Sequence, residues 1–95
     1  TQGYISVTTN HGLIFRANNT DKMVVNNNGD IVLNASGSAL ANAATAGFTF
    51  LPSTAGTPGG TPGVTYTGTL PVVIDSSNNR LYIRFSSGWK SVTLV

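Results

Sequence analysis

Residues 70–95 read LPVVIDSSNNRLYIRFSSGWKSVTLV, and this stretch decides the fold class. It contains three runs of β-prone residues, which are separated by SSNN and SSG. Ser and Asn favour turns because their short side chains bond nearby backbone, and Gly accepts a left-handed conformation. The stretch therefore predicts three antiparallel strands joined by two tight turns.

The two turns set the predicted register of these strands. The four-residue loop SSNN predicts three cross-strand pairs: Asp75 with Arg80, Ile74 with Leu81, and Val72 with Ile83. The loop SSG suits a three-residue hairpin with Gly88 in the left-handed position, which places Phe85 opposite Trp89. Because side chains alternate across a strand, one face is then predicted to be the core face. Its residues are Val72, Ile74, Leu81, Ile83, Phe85 and Trp89.

The opposite face of these strands carries a predicted basic and aromatic patch, made of Tyr82, Arg84 and Lys90. A ring with a polar tip serves equally well in a core, in an interface or against a sugar. The register assigns Trp89 to the core face, with sugar stacking as the alternative. These four residues are the candidate binding residues of the sequence.

The first 35 residues repeat a strand–turn unit. Four β-prone runs, GYISVTT, LIFRAN, KMVVN and DIVLNA, are separated by NHG, NTD and NNG, and Asn28-Gly29 is a strong hairpin signal. Alternation gives the resulting meander one apolar stripe, which consists of Leu13, Phe15, Met23, Val25, Ile31 and Leu33. A meander this thin is not stable alone in water. We therefore expect something else to cover the stripe.

Residues 36–47, SGSALANAATAG, are small throughout, and two interpretations stay open. One is a short helix with Ser36 or Ser38 as its N-cap. The other is extended chain, whose small side chains let neighbouring chains approach closely. The run FTF that follows predicts a brief strand ending at Pro52.

A Gly- and Pro-rich run at residues 53–68 predicts a long loop, in which VTYT is a candidate short strand. Long loops in compact domains are usually functional or flexible. The chain is accordingly divided into an N-terminal meander at 1–35, a small-residue and loop segment at 36–69, and a three-stranded module at 70–95.

Composition excludes several functional classes. The chain of 95 residues has five Lys plus Arg, three Asp, no Glu and no Cys, and its net charge of +2 is too small to predict nucleic-acid binding. It has no secretory signal and no long apolar run, so no membrane insertion is predicted. Because it begins TQGYISV without Met, we expect it to be the C-terminal piece of a longer protein.

The sequence contains no catalytic or metal-binding constellation. His11 is the single histidine and lies in a predicted turn, whereas a metal site needs several convergent ligands. Asp21, Asp30 and Asp75 all flank turns, where Asp is a good turn former, and a glycosidase needs two carboxyls that face one sugar. We therefore expect a non-enzymatic protein without a cofactor or a metal.

Two spans of the chain resemble the distal parts of phage tail fibres and related virion appendages. They are LIFRANNTDKMVVNNNGDIVL (residues 13–33) and LPVVIDSSNNRLYIRFSSGWKSV (residues 70–92). Fibre proteins often show apolar pairs, then Asn-Gly and a final apolar pair, and their tips often show Pro, Asp, a Ser/Asn turn, Leu-Tyr and Gly-Trp in this order. In many of them the Asn-Gly strand continues as Gly-Ile-Gly-Thr, whereas here it continues as Leu33-Asn34-Ala35-Ser36.

The resemblance implies an all-β homotrimer of the virion that serves structure and host attachment. Three copies about a threefold axis would cover the apolar stripe and complete the short meanders and hairpins as a β-prism or a small β-sandwich. A host-surface glycan or other receptor is the implied partner. Fibres also sometimes hold an axial ion at symmetry-related histidines, which is the alternative to an exposed turn for His11.

Two hypotheses from other classes stay open. The first is a monomeric or dimeric glycan-binding module of a bacterial surface protein, with a cleft lined by Tyr82, Trp89 or Tyr66 and an Asn or Asp beside it. The second is an enzyme that acts on polysaccharide through two carboxylates brought together across subunits, with Asp75 as a participant.

Overall fold

The computed structural model describes residues 2–95, and within them the regular structure consists of strands and turns without a helix. The strands form two sheets. One sheet lies in a unit that ends at Thr49, and the other lies in a second unit, Phe50–Val95. The predicted all-β class, built from short antiparallel meanders and hairpins, is confirmed. Trimer packing concerns contacts between copies and stays a prediction.

The first unit contains a three-stranded antiparallel sheet in the order β1–β2–β3. Its strands are β1, Leu13–Ala17; β2, Thr20–Val25; and β3, Ile31–Leu33. Asn18 and Asn19 join β1 to β2 with φ values of 49° and 54°. Two successive positive φ angles are the type I′ geometry, whose twist matches that of the flanking strands, and Asn tolerates it. Gly29, at a φ of 95°, occupies the turn between β2 and β3.

The predicted apolar stripe lies on one face of this sheet. Its six members pair across the strands as Leu13–Val25–Ile31 and Phe15–Met23–Leu33. The opposite face is mixed, because Ile14, Val24 and Val32 align on it and Arg16, two residues after Ile14, lies on the same face. None of the described residues up to Thr49 is buried. Within one chain, this sheet therefore leaves its apolar stripe and three further apolar side chains without cover.

Two sequence predictions for this part of the chain are wrong, and one of the two interpretations left open for residues 36–47 is excluded. The run GYISVTT at 3–9 and the run FTF at 48–50 form no strand, because a β-prone run becomes a strand only where a partner supplies its hydrogen bonds. The helical interpretation of 36–47 also fails, since this segment forms turns with left-handed Gly37 and Gly47. Its Asn, Thr and Gly residues and its short length outweigh the helix preference of Ala.

The second unit contains a four-stranded sheet in the order β4–β5–β6–β7. Its strands are β4, Ser53–Thr54; β5, Val72–Asp75; β6, Arg80–Phe85; and β7, Gly88–Thr93. β4 runs parallel to β5, and the two hairpins are antiparallel. The predicted loop at 53–68 therefore starts with a short strand, while its VTYT run forms none.

The first hairpin of this sheet has the predicted register. Asp75 pairs with Arg80, Ile74 with Leu81, and Val72 with Ile83. The four turn residues 76–79 close the loop, and Asn79 takes a left-handed φ of 55°. The turn chemistry of Ser and Asn was therefore sufficient to predict the pairing of β5 with β6.

The predicted register of the second hairpin is wrong by one residue. Phe85 pairs with Gly88 and Arg84 with Trp89, so the loop contains two residues, Ser86 and Ser87. Gly88 has a φ of 128° and is the first residue of β7 rather than the last residue of the loop. Since side chains alternate along a strand, this shift moves every side chain of β7 to the other face.

The predicted core face is not the covered face of the single chain. We call the two sides the open face, with Val72, Ile74, Leu81, Ile83, Phe85, Lys90 and Val92, and the loop-covered face, with Val73, Asp75, Tyr82, Arg84 and Trp89. Asp75 and Tyr82 are 0% and 5% exposed, whereas Phe85 and Val92 on the open face are 39% and 55% exposed. The assignment failed because alternation shows which residues share a face and not what packs against it.

No helix in residues 2–95 is long and apolar enough to cross a membrane.

Candidate functional site

The segment between β4 and β5, residues 55–71, crosses the loop-covered face. The Tyr82 hydroxyl donates a long hydrogen bond of 3.4 Å to the Thr57 hydroxyl, and the indole N–H of Trp89 donates one of 2.7 Å to the carbonyl of Gly60. The backbone N–H of Arg84 donates to the carbonyl of Pro71 at 3.0 Å. The segment is thus attached to β6 and β7 at three points, so this long loop has defined positions over the sheet.

Asp75 is a fully buried carboxylate whose partners lie in the turn between β5 and β6 and, at the Gly56 backbone, in the segment after β4. Its Oδ1 accepts hydrogen bonds from the backbone N–H groups of Ser77 and Asn78 at 3.0 and 3.1 Å, and its Oδ2 accepts one from the Asn78 side-chain amide at 2.8 Å. The Asn78 side chain is the main cause of a lowered pKa of Asp75, and burial opposes it. A carboxylate held in this way organises a turn.

Tyr82, Trp89 and Arg84 form one cluster on the loop-covered face. The rings of Tyr82 and Trp89 meet edge to face with centroids 6.4 Å apart, and the guanidinium carbon of Arg84 lies 6.0 Å from the Trp89 ring centroid. The hydrogen bond with Thr57 is the main cause of a lowered pKa of Tyr82. This contact distance between Arg84 and Trp89 is at the outer limit of a cation–π interaction.

The predicted surface patch of Tyr82, Arg84 and Lys90 is not brought together. Tyr82 is buried beneath the crossing segment, and Lys90 lies on the open face, because the register of β7 differs from the predicted one. Arg84 contacts Trp89 instead of facing Lys90. Whether any of these four residues binds a partner stays a prediction.

A groove of about 690 Å³ lies where residues 61–71 meet the turn between β6 and β7. It is lined by threonines of the crossing segment together with Val64, Tyr66, Leu70, Arg84 and Ser86. Tyr66 is 71% exposed, so most of its ring is open to a ligand. Of the residues predicted to line a glycan cleft, Tyr66 lines the groove, whereas Tyr82 and Trp89 do not. The lining of the groove contains no Asn or Asp.

The sequence interpretation missed this groove, although a signal for it was present. Thr recurs at every second position from 65 to 69 in TYTGT, a run with many hydroxyls and one aromatic ring. The overlapping run VTYT predicts a short strand because Val, Thr and Tyr are β-prone. Its position against Arg84 depends on how residues 55–71 cross the sheet, and no local pattern reports this.

The remaining candidate residues each have local partners. His11 is exposed, and its Nδ1 lies 2.8 Å from the Thr9 hydroxyl. Asp21 forms an ion pair with Arg16 at 2.8 Å, and Asp30 accepts a hydrogen bond from the Asn28 side chain at 3.1 Å. Over residues 2–95, no three His, Cys, Asp or Glu side chains are grouped so that they could hold a metal ion.

The predicted trimer-core residues are aligned but uncovered in the single chain. Ile31, Leu33 and Phe15 are 67%, 49% and 42% exposed, and Leu13, Met23 and Val25 are half-buried. Whether a second and a third copy cover them stays a prediction.

Comparisons with known proteins identify no relative of this chain. No family model, no curated protein and no solved structure matches the chain.

Proposed function

We propose that this chain is a non-enzymatic structural and host-attachment segment of a phage tail fibre or a similar virion appendage, and that it works as a homotrimer. The observation that carries the proposal is the amount of apolar surface left uncovered in one chain. Twenty large apolar side chains are exposed in the described residues, and Tyr82 is the one buried member of this class.

The accessible surface supports assembly quantitatively. One chain exposes 7773 Å², whereas a folded monomer of 9.8 kDa exposes about 5,200 Å² on the usual scaling with mass. Even two separately folded units of half that mass would together expose only about 6,200 Å². The excess over a monomer, about 2,600 Å², is of the size that obligate subunits bury against each other.

The position of the exposed residues favours copies of the same chain as the cover. The first sheet has an uncovered apolar stripe on one face and a mixed second face, and the second sheet is apolar on its open face with Lys90 as the one charge there. An apolar surface spread along a chain is a feature of subunits that wind around each other, because each copy then covers its neighbours. The resemblance of residues 13–33 and 70–92 to tail fibres, which are generally homotrimers, favours three copies.

Sedimentation velocity across a hundredfold dilution tests the assembly. We expect one species with three times the mass of the chain and no folded monomer, because the uncovered sheets are unstable alone. Circular dichroism of the same samples reports whether the β-structure is retained. A folded monomer that persists across the dilution series would contradict the proposal.

The alternative is a monomeric or dimeric glycan-binding module of a bacterial surface protein. The groove with the exposed Tyr66 favours it, because small-molecule sites are typically concave with a few polar groups. It differs from the first proposal in assembly. A folded monomer that binds saccharide would support the alternative, whereas a trimer would contradict it.

A further inference from the structure

We propose that the groove between residues 61–71 and the turn of β6 and β7 binds a saccharide that carries an anionic group. This inference rests on the proposed attachment function and names the ligand class and the site. Its volume of about 690 Å³ lies within the range of about 300–1,000 Å³ that is usual for small-molecule sites.

The charge of the groove comes from one residue. Arg84 is the only charged side chain among the lining residues. In residues 2–95, the single ion pair joins Arg16 and Asp21, so Arg84 forms none. An arginine without a carboxylate partner, at the wall of a concave site, attracts anions, and its planar fork matches a carboxylate or a phosphate.

The backbone of Arg84 is hydrogen-bonded and its side chain lies beside the Trp89 ring. Its backbone N–H donates to the Pro71 carbonyl at 3.0 Å, and its guanidinium carbon lies 6.0 Å from the Trp89 ring centroid. Its side chain is half-buried. Less side-chain entropy is therefore lost on binding than for a free surface arginine.

The other lining residues suit the sugar ring. Tyr66 presents a ring that is 71% exposed, and an aromatic face packs against the C–H groups of a pyranose. The hydroxyl of Thr69 already donates to the Tyr66 carbonyl at 2.6 Å, which stabilises the turn below that ring. Thr61, Thr65 and Thr67 bring further hydroxyls to the same groove, and each can donate and accept hydrogen bonds.

The test uses the assembled protein and three small probes. They are a disaccharide with a glucuronic acid, the same disaccharide with its carboxyl group reduced to an alcohol, and glycerol 3-phosphate. Binding is measured by NMR titration, in which the side-chain signals of Arg84 and Tyr66 locate the site. The variants are Arg84→Ala, Arg84→Lys and Tyr66→Ala, with Lys22→Ala as the matched control because it removes an exposed positive charge from the first unit.

We expect the uronate to bind about tenfold more tightly than its neutral counterpart, because bonds to a charged partner are the stronger ones. Arg84→Ala should remove this preference, Tyr66→Ala should weaken binding of both saccharides, and Lys22→Ala should change neither. Arg84→Lys keeps the positive charge and should retain part of the preference for the uronate. This variant separates the loss of the charge from a perturbed fold in Arg84→Ala.

Three outcomes would overturn the proposal. They are equal binding of the neutral and acidic disaccharides, binding of glycerol 3-phosphate as tight as that of the uronate, which would indicate a simple anion site, and no binding at all by correctly assembled protein. Sedimentation of the same samples separates these results from failure of the trimer. A monomer refutes the proposed function, whereas a trimer that binds no uronate refutes only this inference.

Discussion

Asp75 is a charged side chain with no exposed surface, and its role follows from its donors. Backbone N–H groups of Ser77 and Asn78 and the Asn78 amide point at its two oxygens. Hydrogen bonds to the charged form offset the cost of burying it. The same contacts close the turn between β5 and β6. The charged form of Asp75 therefore helps to fix the register of this hairpin.

This contact predicts an acid-dependent stability. The pKa of Asp75 in the folded chain is lowered from its ordinary value of 3.8. Its contribution to the stability of the fold is therefore present above that ordinary value, and it is lost as the pH falls through the lower pKa of the folded chain. We expect the melting temperature to fall below about pH 4. Asp75→Asn should be less stable at pH 7 and should lack this part of the acid dependence.

Thermal melts from pH 7 to pH 2 measure the effect, with Asp30→Asn as the control because Asp30 is exposed in the first unit. The melting temperature of the control should fall at low pH as it does in the wild-type protein. If the melting temperature of Asp75→Asn falls at low pH as much as that of the wild-type protein, the carboxylate of Asp75 does not stabilise the turn.

At the scale of an element, the second hairpin depends on the backbone of one glycine. Gly88 has a φ of 128°, a conformation that other residues adopt only with strain. Space is not the obstacle, since a Cβ at Gly88 would meet only the Arg84 guanidinium, at 3.9 Å. The constraint is therefore conformational, and it sets which residue begins β7.

Gly88→Ala should accordingly lower the free energy of unfolding by about 1–3 kcal/mol, the usual cost of such strain. Gly59→Ala is the matched control, because a Cβ there meets nothing within 4 Å and its φ lies outside the left-handed region. Denaturant unfolding followed by the fluorescence of Trp89, the single tryptophan, measures both variants. Equal stability of the two would show that β7 tolerates a side chain at its first position.

At the scale of the whole molecule, the surface left exposed by one chain exceeds what a folded monomer leaves. Unfolded chains of this mass expose about 14,200 Å², so 7773 Å² corresponds to about 45% buried, against about 60–65% for a monomeric domain of this size. One chain alone therefore lacks much of the burial that offsets the entropy of folding. Under the proposed function, the missing burial comes from the other two copies.

Val25→Asp tests this interface at the end of the central strand of the first sheet, where Val25 pairs with both Leu13 and Ile31. An unpaired carboxylate in an apolar interface is strongly disfavoured, so we expect the variant to dissociate or unfold. Ser38→Asp adds the same charge at an exposed turn and should leave the assembly intact. Sedimentation measures both variants, and an intact trimer of Val25→Asp would remove this stripe from the interface.

The sequence alone determined the features that depend on neighbouring residues. The turns at Asn28-Gly29 and at 76–79, the pairing of β5 with β6 and the membership of the apolar stripe all follow from local turn chemistry and the two-residue repeat of a strand. Glycine and asparagine accept positive φ angles, and this preference acts within a few residues. These features were therefore predicted correctly.

Which face of the second sheet is covered, and where the groove lies, depends on contacts between distant residues. The residues SSG suit a two-residue loop and a three-residue loop almost equally. This difference of one residue in loop length determines whether Trp89 pairs with Arg84 or with Phe85. The crossing of residues 55–71 depends on hydrogen bonds such as that from Trp89 to Gly60, 29 positions apart in the chain. Contacts between residues so far apart leave no pattern in the local sequence, because their free energy appears only once the chain has folded.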